Sequence, residues 1–495
     1  MTNRRNFLKL SALASLPLVS NQAFAKKLDF DETYDVVVVG SGFAGLWAAI
    51  SANQEGAGKV VLFEKGPSSY LGASGICGGS ANAAGTKAQK DAGYQDDKAV
   101  FEEEVMRGGN NENIRELVHL YCQNAADTLD WFYDKGMKFS FRKNPAFSVL
   151  RQHACPTGKG AELLRYLQKE ITAQNIPLRL NTPATSLITD EQGKVIGVTV
   201  KSKGVEKKIR ANKGVILCTG GFLGDPQLID RFLTSFAGAI SCGSPLCKGD
   251  GLLMATKIGA ATTHLNYGAV FAYGMPTDAK NRRGLNFRGL NMALAGGIVV
   301  GPDGKRFIKD ETLPTPLALE MARRGFKKVY SIGTVKQLMA YIDGPSPVTG
   351  MSREALKDSL KTEKYHIRTA PTLRELAEKI GVNPTTLEET VKTYNNYVEN
   401  GVDLEFNRKS INGKIEDGPF AAMIGQPVAL ASIGGLRVNP KLQVLDAYLH
   451  PIPGLYAAGE IIGGLHGNSY IGGDSVGSCM TFGRLAGKSI AGKLS

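Results

Sequence analysis

The fold of this chain is decided by Val36-Val37-Val38-Val39-Gly40-Ser41-Gly42-Phe43-Ala44-Gly45. Four β-branched residues before a glycine are typical of a buried parallel strand, and residues 46–52 have the composition of a helix. A second apolar run, Val60-Val61-Leu62-Phe63, ends at Glu64. The order of strand, glycine-rich turn, helix, strand and acidic residue predicts a dinucleotide-binding unit in an α/β fold.

Each residue of this pattern has a predicted task. Gly40 permits the tight turn, Gly42 lets a pyrophosphate approach the backbone, and Gly45 lets the helix pack on the strand. The first N–H groups of the helix then face the phosphates. Glu64 is placed to accept hydrogen bonds from ribose hydroxyls, which disfavours a 2′-phosphate. A glycine-rich turn without a ligand is the alternative, but the full pattern with its acid favours a nucleotide.

The first 25 residues have the features of a twin-arginine export signal. Arg4-Arg5 precedes an apolar segment, and Ala23-Phe24-Ala25 is a cleavage site of the A-x-A type. A membrane anchor is the alternative, but the apolar segment is too short and too interrupted by serine. We therefore expect a periplasmic protein that does not span the membrane.

Charge and cysteine content exclude several functions. The net charge of +13 is spread along the chain, and no basic run is interleaved with aromatic residues. This favours anionic partners or substrates and argues against nucleic acid. The seven cysteines include no C-x-x-C-H motif, so no c-type haem is expected on this chain, and no cysteine or histidine cluster indicates a metal site.

The composition and the predicted secondary structure of the sequence change twice after the predicted signal. Residues 26–265 contain the dinucleotide unit, a loop rich in small residues and several short strands. Residues 266–425 mix short strands with amphipathic helices. Residues 426–495 again contain a strand that ends at a glycine-rich turn, as residues 36–45 do, and they end in a helix. We predict a Rossmann-like domain in two parts, 26–265 and 426–495, with an inserted α+β capping domain at 266–425.

Motifs along most of the chain resemble those of the fumarate reductase/succinate dehydrogenase flavoprotein family, and most closely its soluble, exported reductases. The resemblance implies FAD, a capping domain over the flavin, and hydride transfer between flavin N5 and a carbon–carbon bond. It rests on the turn at Gly40–Gly45, the loop Ser74–Ser80, Thr219-Gly220-Gly221-Phe222, Lys248-Gly249-Asp250-Gly251, Gly304-Lys305-Arg306-Phe307, Gly434-Gly435-Leu436, Ala457-Ala458-Gly459-Glu460 and Met480-Thr481-Phe482-Gly483-Arg484.

The resemblance also implies which further residues hold the cofactor. Some relatives attach FAD through a histidine, and the loop 68–86 contains none, so noncovalent FAD is expected. Backbone N–H groups at the last helix would stabilise negative charge on the reduced flavin. The implied residues are Ser74, Gly75 and Gly79 at the isoalloxazine, Gly459 and Glu460 at the ribityl chain, and Ser475 and Val476 at the pyrimidine ring.

This sequence departs from the family at the substrate site. Pro314 stands where the family has its catalytic Arg, a few residues after the K-R-F element. The carboxylate-binding His is absent, with Ser432 or its neighbour in its place, and Tyr470 replaces the second carboxylate-binding Arg. All three replacements remove groups that bind a dicarboxylate, so we do not expect fumarate as the substrate.

Two residues are candidates for the missing catalytic groups. Tyr470 occupies the position of a substrate-binding Arg, where a phenol could donate a hydrogen bond or a proton. Ketosteroid dehydrogenases of the same superfamily have a Tyr in a similar segment. Arg288 precedes the K-R-F element and could bind a carboxylate or donate a proton. The alternatives are a tyrosine packed under the flavin and an arginine on the surface.

Three functions are compatible with these residues. The first is an FAD-dependent reductase of an α,β-unsaturated acid or enone, supplied with electrons by a separate periplasmic or membrane-anchored c-type cytochrome. The second is a dehydrogenase of the ketosteroid type. The third is a flavin electron carrier without a small substrate, which the large capping domain disfavours.

Overall fold

The structure is a computed structural model, and it describes six ranges of the chain: 29–286, 292–311, 314–344, 352–363, 366–411 and 413–494. The predicted export signal at 1–25 and the candidate Arg288 lie outside these residues.

The strands of the described residues fall into two large sheets and two small ones. In chain order they are β1 Glu32–Val39, β2 Val60–Phe63, β3 Ser80–Asn82, β4 Ser140–Arg142, β5 Gln152–Ala154, β6 Leu178–Arg179, β7 Ala184–Thr189, β8 Val195–Ser202, β9 Val205–Leu217, β10 Ile240–Ser241, β11 Thr262–Thr263, β12 Gly268–Asp278, β13 Arg283–Asn286, β14 Ile298–Val300, β15 Val329–Thr334, β16 Ile367–Ala370, β17 Phe420–Ser432, β18 Gly435–Leu436, β19 Gln443–Leu445 and β20 Pro451–Ala457.

The helices are distributed over the whole of the described chain. They are α1 Phe43–Gln54, α2 Ala73–Ile76, α3 Lys87–Asp91, α4 Lys98–Gly108, α5 Arg115–Asp134, α6 Gly160–Ala173, α7 Pro226–Phe232, α8 Asp250–Lys257, α9 Pro314–Arg323, α10 Val335–Asp343, α11 Arg353–Thr362, α12 Leu373–Ile380, α13 Pro384–Asn400 and α14 Asp474–Ile490.

The first large sheet contains the predicted dinucleotide unit. Its central strands run in the order β20-β9-β1-β2-β6 and all pair in parallel. Val36, Val37 and Val38 are fully buried, as expected for a strand covered on both faces. The strand β20 comes late in the chain, yet it pairs with β9, which in turn pairs with β1. Residues from the first and last parts of the described chain therefore share one sheet. The Rossmann-like architecture is confirmed.

The α1 and α14 helices pack closely against each other beside this sheet. A Cβ atom added to Gly483 would lie 2.3 Å from the carbonyl oxygen of Ala44, and one added to Gly487 would lie 2.5 Å from that of Ala48. Only glycine allows the two helix backbones to approach so closely, so these two glycines let α14 pack directly on α1.

The second large sheet lies in the middle of the chain. Its strands run in the order β10-β13-β12-β17-β15-β14, with β16 on β17, and most pairs are antiparallel. It includes Ile240–Ser241 and continues to Ser432, so it extends beyond 266–425 at both ends. The mixed α/β class is confirmed, and the domain boundaries remain a prediction. Across the described ranges, no helix combines the length and apolarity needed to cross a bilayer.

Candidate active site

The glycine-rich turn between β1 and α1 has the geometry that the sequence predicts. Gly40 has a φ of +100°, which favours glycine. A Cβ atom on Gly45 would lie 1.7 Å from the carbonyl oxygen of Gly40. The turn can therefore close, and the helix can begin next to the strand, only with these two glycines.

Glu64 lies directly over this turn. Its Oε2 atom accepts hydrogen bonds from the backbone N–H and the hydroxyl of Ser41, both at 2.9 Å. Its Oε1 atom accepts a third from the N–H of Gly66 at 2.8 Å. A carboxylate offers about four lone-pair sites, so acceptor capacity remains for a ribose hydroxyl.

Two helices begin at this site without a side-chain cap of their own. The N-cap of α1 is Gly42 and that of α14 is Gly473, and neither supplies a capping side chain. The hydroxyl of Ser74 instead accepts a hydrogen bond from the N–H of Phe43 at 3.0 Å. Helix N-termini with free N–H groups attract anionic groups.

A small cavity of about 10 Å³, room for about one water molecule, lies between the end of β20 and the start of α14. Three of the residues predicted to bind the cofactor line it, namely Gly459, Glu460 and Ser475. The carboxylate of Glu460 accepts hydrogen bonds from the N–H of Ser432 at 2.9 Å and from its hydroxyl at 3.1 Å. Burial raises the pKa of Glu460, and these two bonds offset part of that effect. The remaining lining residues are Ser432, Ile462, Leu465, His466, Ser478, Cys479 and Phe482.

Two predicted flavin contacts have an internal reason to be glycine. A Cβ atom on Gly75 would lie 1.9 Å from the carbonyl oxygen of Tyr70, and one on Gly79 would lie 2.6 Å from the sulfur of Cys155. Packing within the chain therefore explains both residues without a ligand. Their role at the isoalloxazine, like that of the partly buried Val476, stays a prediction.

Tyr470 lies between the final helix and the second sheet. Its ring is half-buried, packs against an apolar cluster of Ile240, Phe271 and Val428, and lies 5.5 Å from the ring of His466. Burial raises the pKa of Tyr470 well above its ordinary value, although a hydrogen bond with Ser475 lowers it. The phenol therefore keeps its proton at neutral pH.

His466 has Ser475 as its polar neighbour, and its ring lies beside that of Tyr470. The Ser475 hydroxyl lies 3.2 Å from Nε2 of His466. Burial lowers the pKa of His466 to about 4, so its imidazole is neutral at pH 7. Three neutral groups thus lie together beside the cavity.

The three departures from the family pattern fall in different surroundings. Ser432 lies at the end of β17 and is bonded to Glu460, as described above. Pro314 is the first residue of α9. The preceding K-R-F element is fixed by buried ion pairs of Arg306 with Asp310 and with Asp403, the latter at 2.7 Å.

Sequence reasoning missed Asp474, the first residue of α14. Its side chain is fully buried, with Asn82 and Tyr121 as hydrogen-bond partners. An aspartate in the first turn of a helix is common, and nothing in the local sequence distinguishes this one from an exposed residue.

The residues present fit FAD. The glycine cradle at Gly40–Gly45, two helix N-termini whose N-cap residue is glycine, and Glu64 beside the turn suit a pyrophosphate and a ribose. The cavity next to the second helix N-terminus offers N–H groups to an electron-accepting ring. These features define a flavoprotein oxidoreductase.

Comparison with known proteins agrees with this geometry. Residues 35–476 match the FAD binding domain family. The fumarate reductase (cytochrome) of Shewanella frigidimarina is 33% identical over 480 residues, which cover 93% of this chain and 77% of that protein. The acrylate reductase flavoprotein subunit of Shewanella woodyi is 28% identical over 514 residues, covering 99% and 98%.

A solved structure has the same fold. The open conformation of a flavocytochrome c3 fumarate reductase aligns with a TM-score of 0.77 and 29% identity, over 94% of this chain and 79% of that one. The chain belongs to the FAD binding domain family and, within it, to the fumarate reductase/succinate dehydrogenase flavoproteins. It is an FAD-dependent oxidoreductase of the kind that acts on carbon–carbon double bonds.

Proposed function

We propose that this protein is an exported reductase that saturates the activated C=C bond of an α,β-unsaturated acid or enone other than fumarate. The observation that carries the proposal is the environment of Tyr470. Its protonated phenol faces an apolar wall of Ile240, Phe271 and Val428, at the position where the family pattern has a cationic carboxylate-binding side chain.

Tyr470 would act as the proton donor. Bound, reduced FAD supplies a hydride to one carbon of the double bond. Tyr470 would donate a proton to the other carbon, or a hydrogen bond to the adjoining carbonyl, and its phenol is protonated at neutral pH. The hydroxyl of Ser475, between Tyr470 and His466, offers a route by which the phenol regains a proton.

The same surroundings restrict the substrate. A dicarboxylate needs two cationic or imidazole partners, and Ser432 and Tyr470 are neutral. An apolar wall instead favours a molecule with one polar end and an apolar substituent. The similarity to an acrylate reductase subunit over nearly the whole of both chains supports a monocarboxylate, with Arg288 as its proposed anchor.

Noncovalent FAD, periplasmic location and a cytochrome donor belong to this proposal. The loop 68–86 has no histidine to which FAD could be linked, and the twin-arginine pattern at 1–25 supports export. A chain without a haem-attachment motif needs a separate donor, and a c-type cytochrome suits the periplasm.

The apolar cluster also favours a second candidate, a dehydrogenase of the ketosteroid type. Such an enzyme would transfer hydride from a saturated ring carbon to FAD, and an apolar wall would bind the steroid. The reduced protein would then fail to reduce small unsaturated acids.

One experiment separates the candidates. The holoenzyme is reduced anaerobically with dithionite and mixed with acrylate, an aryl-substituted acrylate, cyclohexenone, a 3-ketosteroid whose carbonyl is conjugated to a ring C=C bond, and fumarate, and flavin absorbance is followed. We expect rapid reoxidation by at least one unsaturated monocarboxylate or enone and slow reoxidation by fumarate. Reaction with the steroid alone would favour the dehydrogenase, and reaction with none would favour an electron carrier.

A further inference from the structure

Asp474 is a buried carboxyl group that forms no ion pair with any residue of the described ranges. It is 0% exposed, and its Oδ1 atom accepts a hydrogen bond from Nδ2 of Asn82 at 2.8 Å. The hydroxyl of Tyr121 lies 3.3 Å from the same oxygen and 2.7 Å from the carbonyl oxygen of Asn82, and it can donate its single proton to either. Its Oδ2 atom is buried and has no hydrogen-bond partner in the part of the chain that the structure describes. Such an oxygen is costly as a carboxylate and much less costly as a protonated carboxyl group.

The groups that face Asp474 do not remove this cost. Tyr121 and Cys122 on α5 are neutral, and burial raises the pKa of each. Asn82 on β3 carries no charge. Arg151 lies further away, and its charge is matched by ion pairs with Asp96 and Glu104.

The remaining neighbours of Asp474 are negative or neutral. Tyr470 keeps its proton, and Glu460 is the other acid near this helix N-terminus. Burial raises the pKa of Asp474 to about 7, with the two hydrogen bonds and Arg151 opposing that effect.

We propose that Asp474 is a redox-linked protonation site, which takes up one proton from solvent when the bound flavin becomes negative and releases it on reoxidation. The proposal rests on the proposed placement of the flavin pyrimidine ring at the start of α14, next to Ser475 and Val476. Two electrons and two protons are taken up together. One proton goes to flavin N5 and the other to Oδ2 of Asp474, and the electrons come from the donor cytochrome or from dithionite.

The coupling follows from electrostatics at short range. The reduced flavin and an ionised Asp474 would be two negative charges in a poorly solvated region, so reduction raises the affinity of Asp474 for a proton. By linkage, a proton on Asp474 favours the reduced flavin. Asp474 is thus a positioning residue that sets the flavin potential, and it does not touch the substrate.

The test is a spectroelectrochemical titration of the holoenzyme with redox mediators, without substrate, from pH 5.5 to 8.5. The Asp474→Asn variant keeps the shape and an acceptor oxygen but cannot ionise. We expect equal midpoint potentials at pH 5.5, where Asp474 is protonated in both redox states.

Above about pH 7 the midpoint potentials of the wild type and of Asp474→Asn should separate. There the wild-type potential should fall more steeply, by a further tenfold in the equilibrium constant per pH unit, which is about 30 mV for a two-electron couple. Proton uptake by the flavin itself is common to both proteins and cancels. Asp127→Asn is the control. Asp127 lies on α5, is exposed, and pairs at 3.6 Å with Arg484, which is on α14 like Asp474. The pH dependence of its midpoint potential should match that of the wild type.

Two further measurements keep the proposal open to refutation if the Asn variant binds no FAD. Tyr121→Phe removes a hydrogen bond that lowers the pKa of Asp474. The pH above which the midpoint potential falls more steeply should therefore be higher in this variant. An indicator dye in unbuffered solution at pH 8 should report two protons taken up per flavin reduced in the wild type. Parallel curves, or one proton per flavin at pH 8, would overturn the proposal. Because no substrate is present, this outcome is independent of the reductase assay.

Discussion

Replacing Tyr470 with Phe removes one hydroxyl from the candidate site and little else. The ring keeps its packing against Ile240, Phe271 and Val428, and Ser475 keeps His466 as a partner. The loss of one hydrogen bond costs about 1 kcal/mol of folding stability, so FAD content and fold should be retained. If the phenol is the proton donor, the chemical step should slow by roughly 10²–10⁴-fold. That is about 3–5 kcal/mol of activation free energy.

Stopped-flow reoxidation measures this effect directly. The reduced variant is mixed with the best acceptor from the substrate panel, and the rate is extrapolated to saturation so that binding is separated from chemistry. Tyr394→Phe is a matched control, because Tyr394 is also buried and lies in a different apolar cluster, and its hydroxyl has no hydrogen-bond partner among the described residues. Its rate should equal the wild type. A Tyr470→Phe rate within twofold of the wild type would refute Tyr470 as the acid.

Three other outcomes are expected. Acid precipitation of the purified holoenzyme should release yellow FAD into the supernatant; flavin in the pellet would show a covalent link. Fumarate should reoxidise the reduced protein slowly if, as proposed, Pro314, Ser432 or its neighbour, and Tyr470 replace the groups that bind a dicarboxylate; turnover at the rate of the best panel substrate would contradict this. Arg288→Ala should raise KM for a carboxylate substrate with little change in kcat if the arginine is an anchor, and should lower kcat as well if it donates the proton.

The dinucleotide unit could be predicted from sequence because its determinants are local. The valines of β1, the glycines of the turn and the acid after β2 lie within 30 or so consecutive residues, and each has one dominant physical reason. The predicted role of Glu64 at a ribose stays a prediction; its hydrogen bond with Ser41, 23 positions away, places it over the turn and was not foreseen. The cofactor residues predicted near the end of the chain, such as Glu460 and Ser475, came instead from the resemblance to the family.

The buried environment of Asp474 could not be predicted in this way. Its partners Asn82 and Tyr121 are 392 and 353 positions away, and they reach it only because the last helix returns to the first sheet. The extent of the second sheet was missed for the same reason. Ile240–Ser241 is too short to have a recognisable pattern and is a strand only because Val428 and Ala429 pair with it.

Two of the three departures from the family pattern, Ser432 and Tyr470, support the proposal of a changed substrate. Ser432 gives its N–H and its hydroxyl to Glu460, so the group that replaces the histidine is directed toward a residue of the cofactor cavity. Tyr470 packs onto the apolar cluster of the second sheet. A carboxylate placed between these two residues would meet neutral hydroxyl groups and hydrocarbon, and its desolvation would not be offset. This is the physical reason for the proposal that the substrate presents an apolar substituent, and not a second carboxylate, to Phe271 and its neighbours.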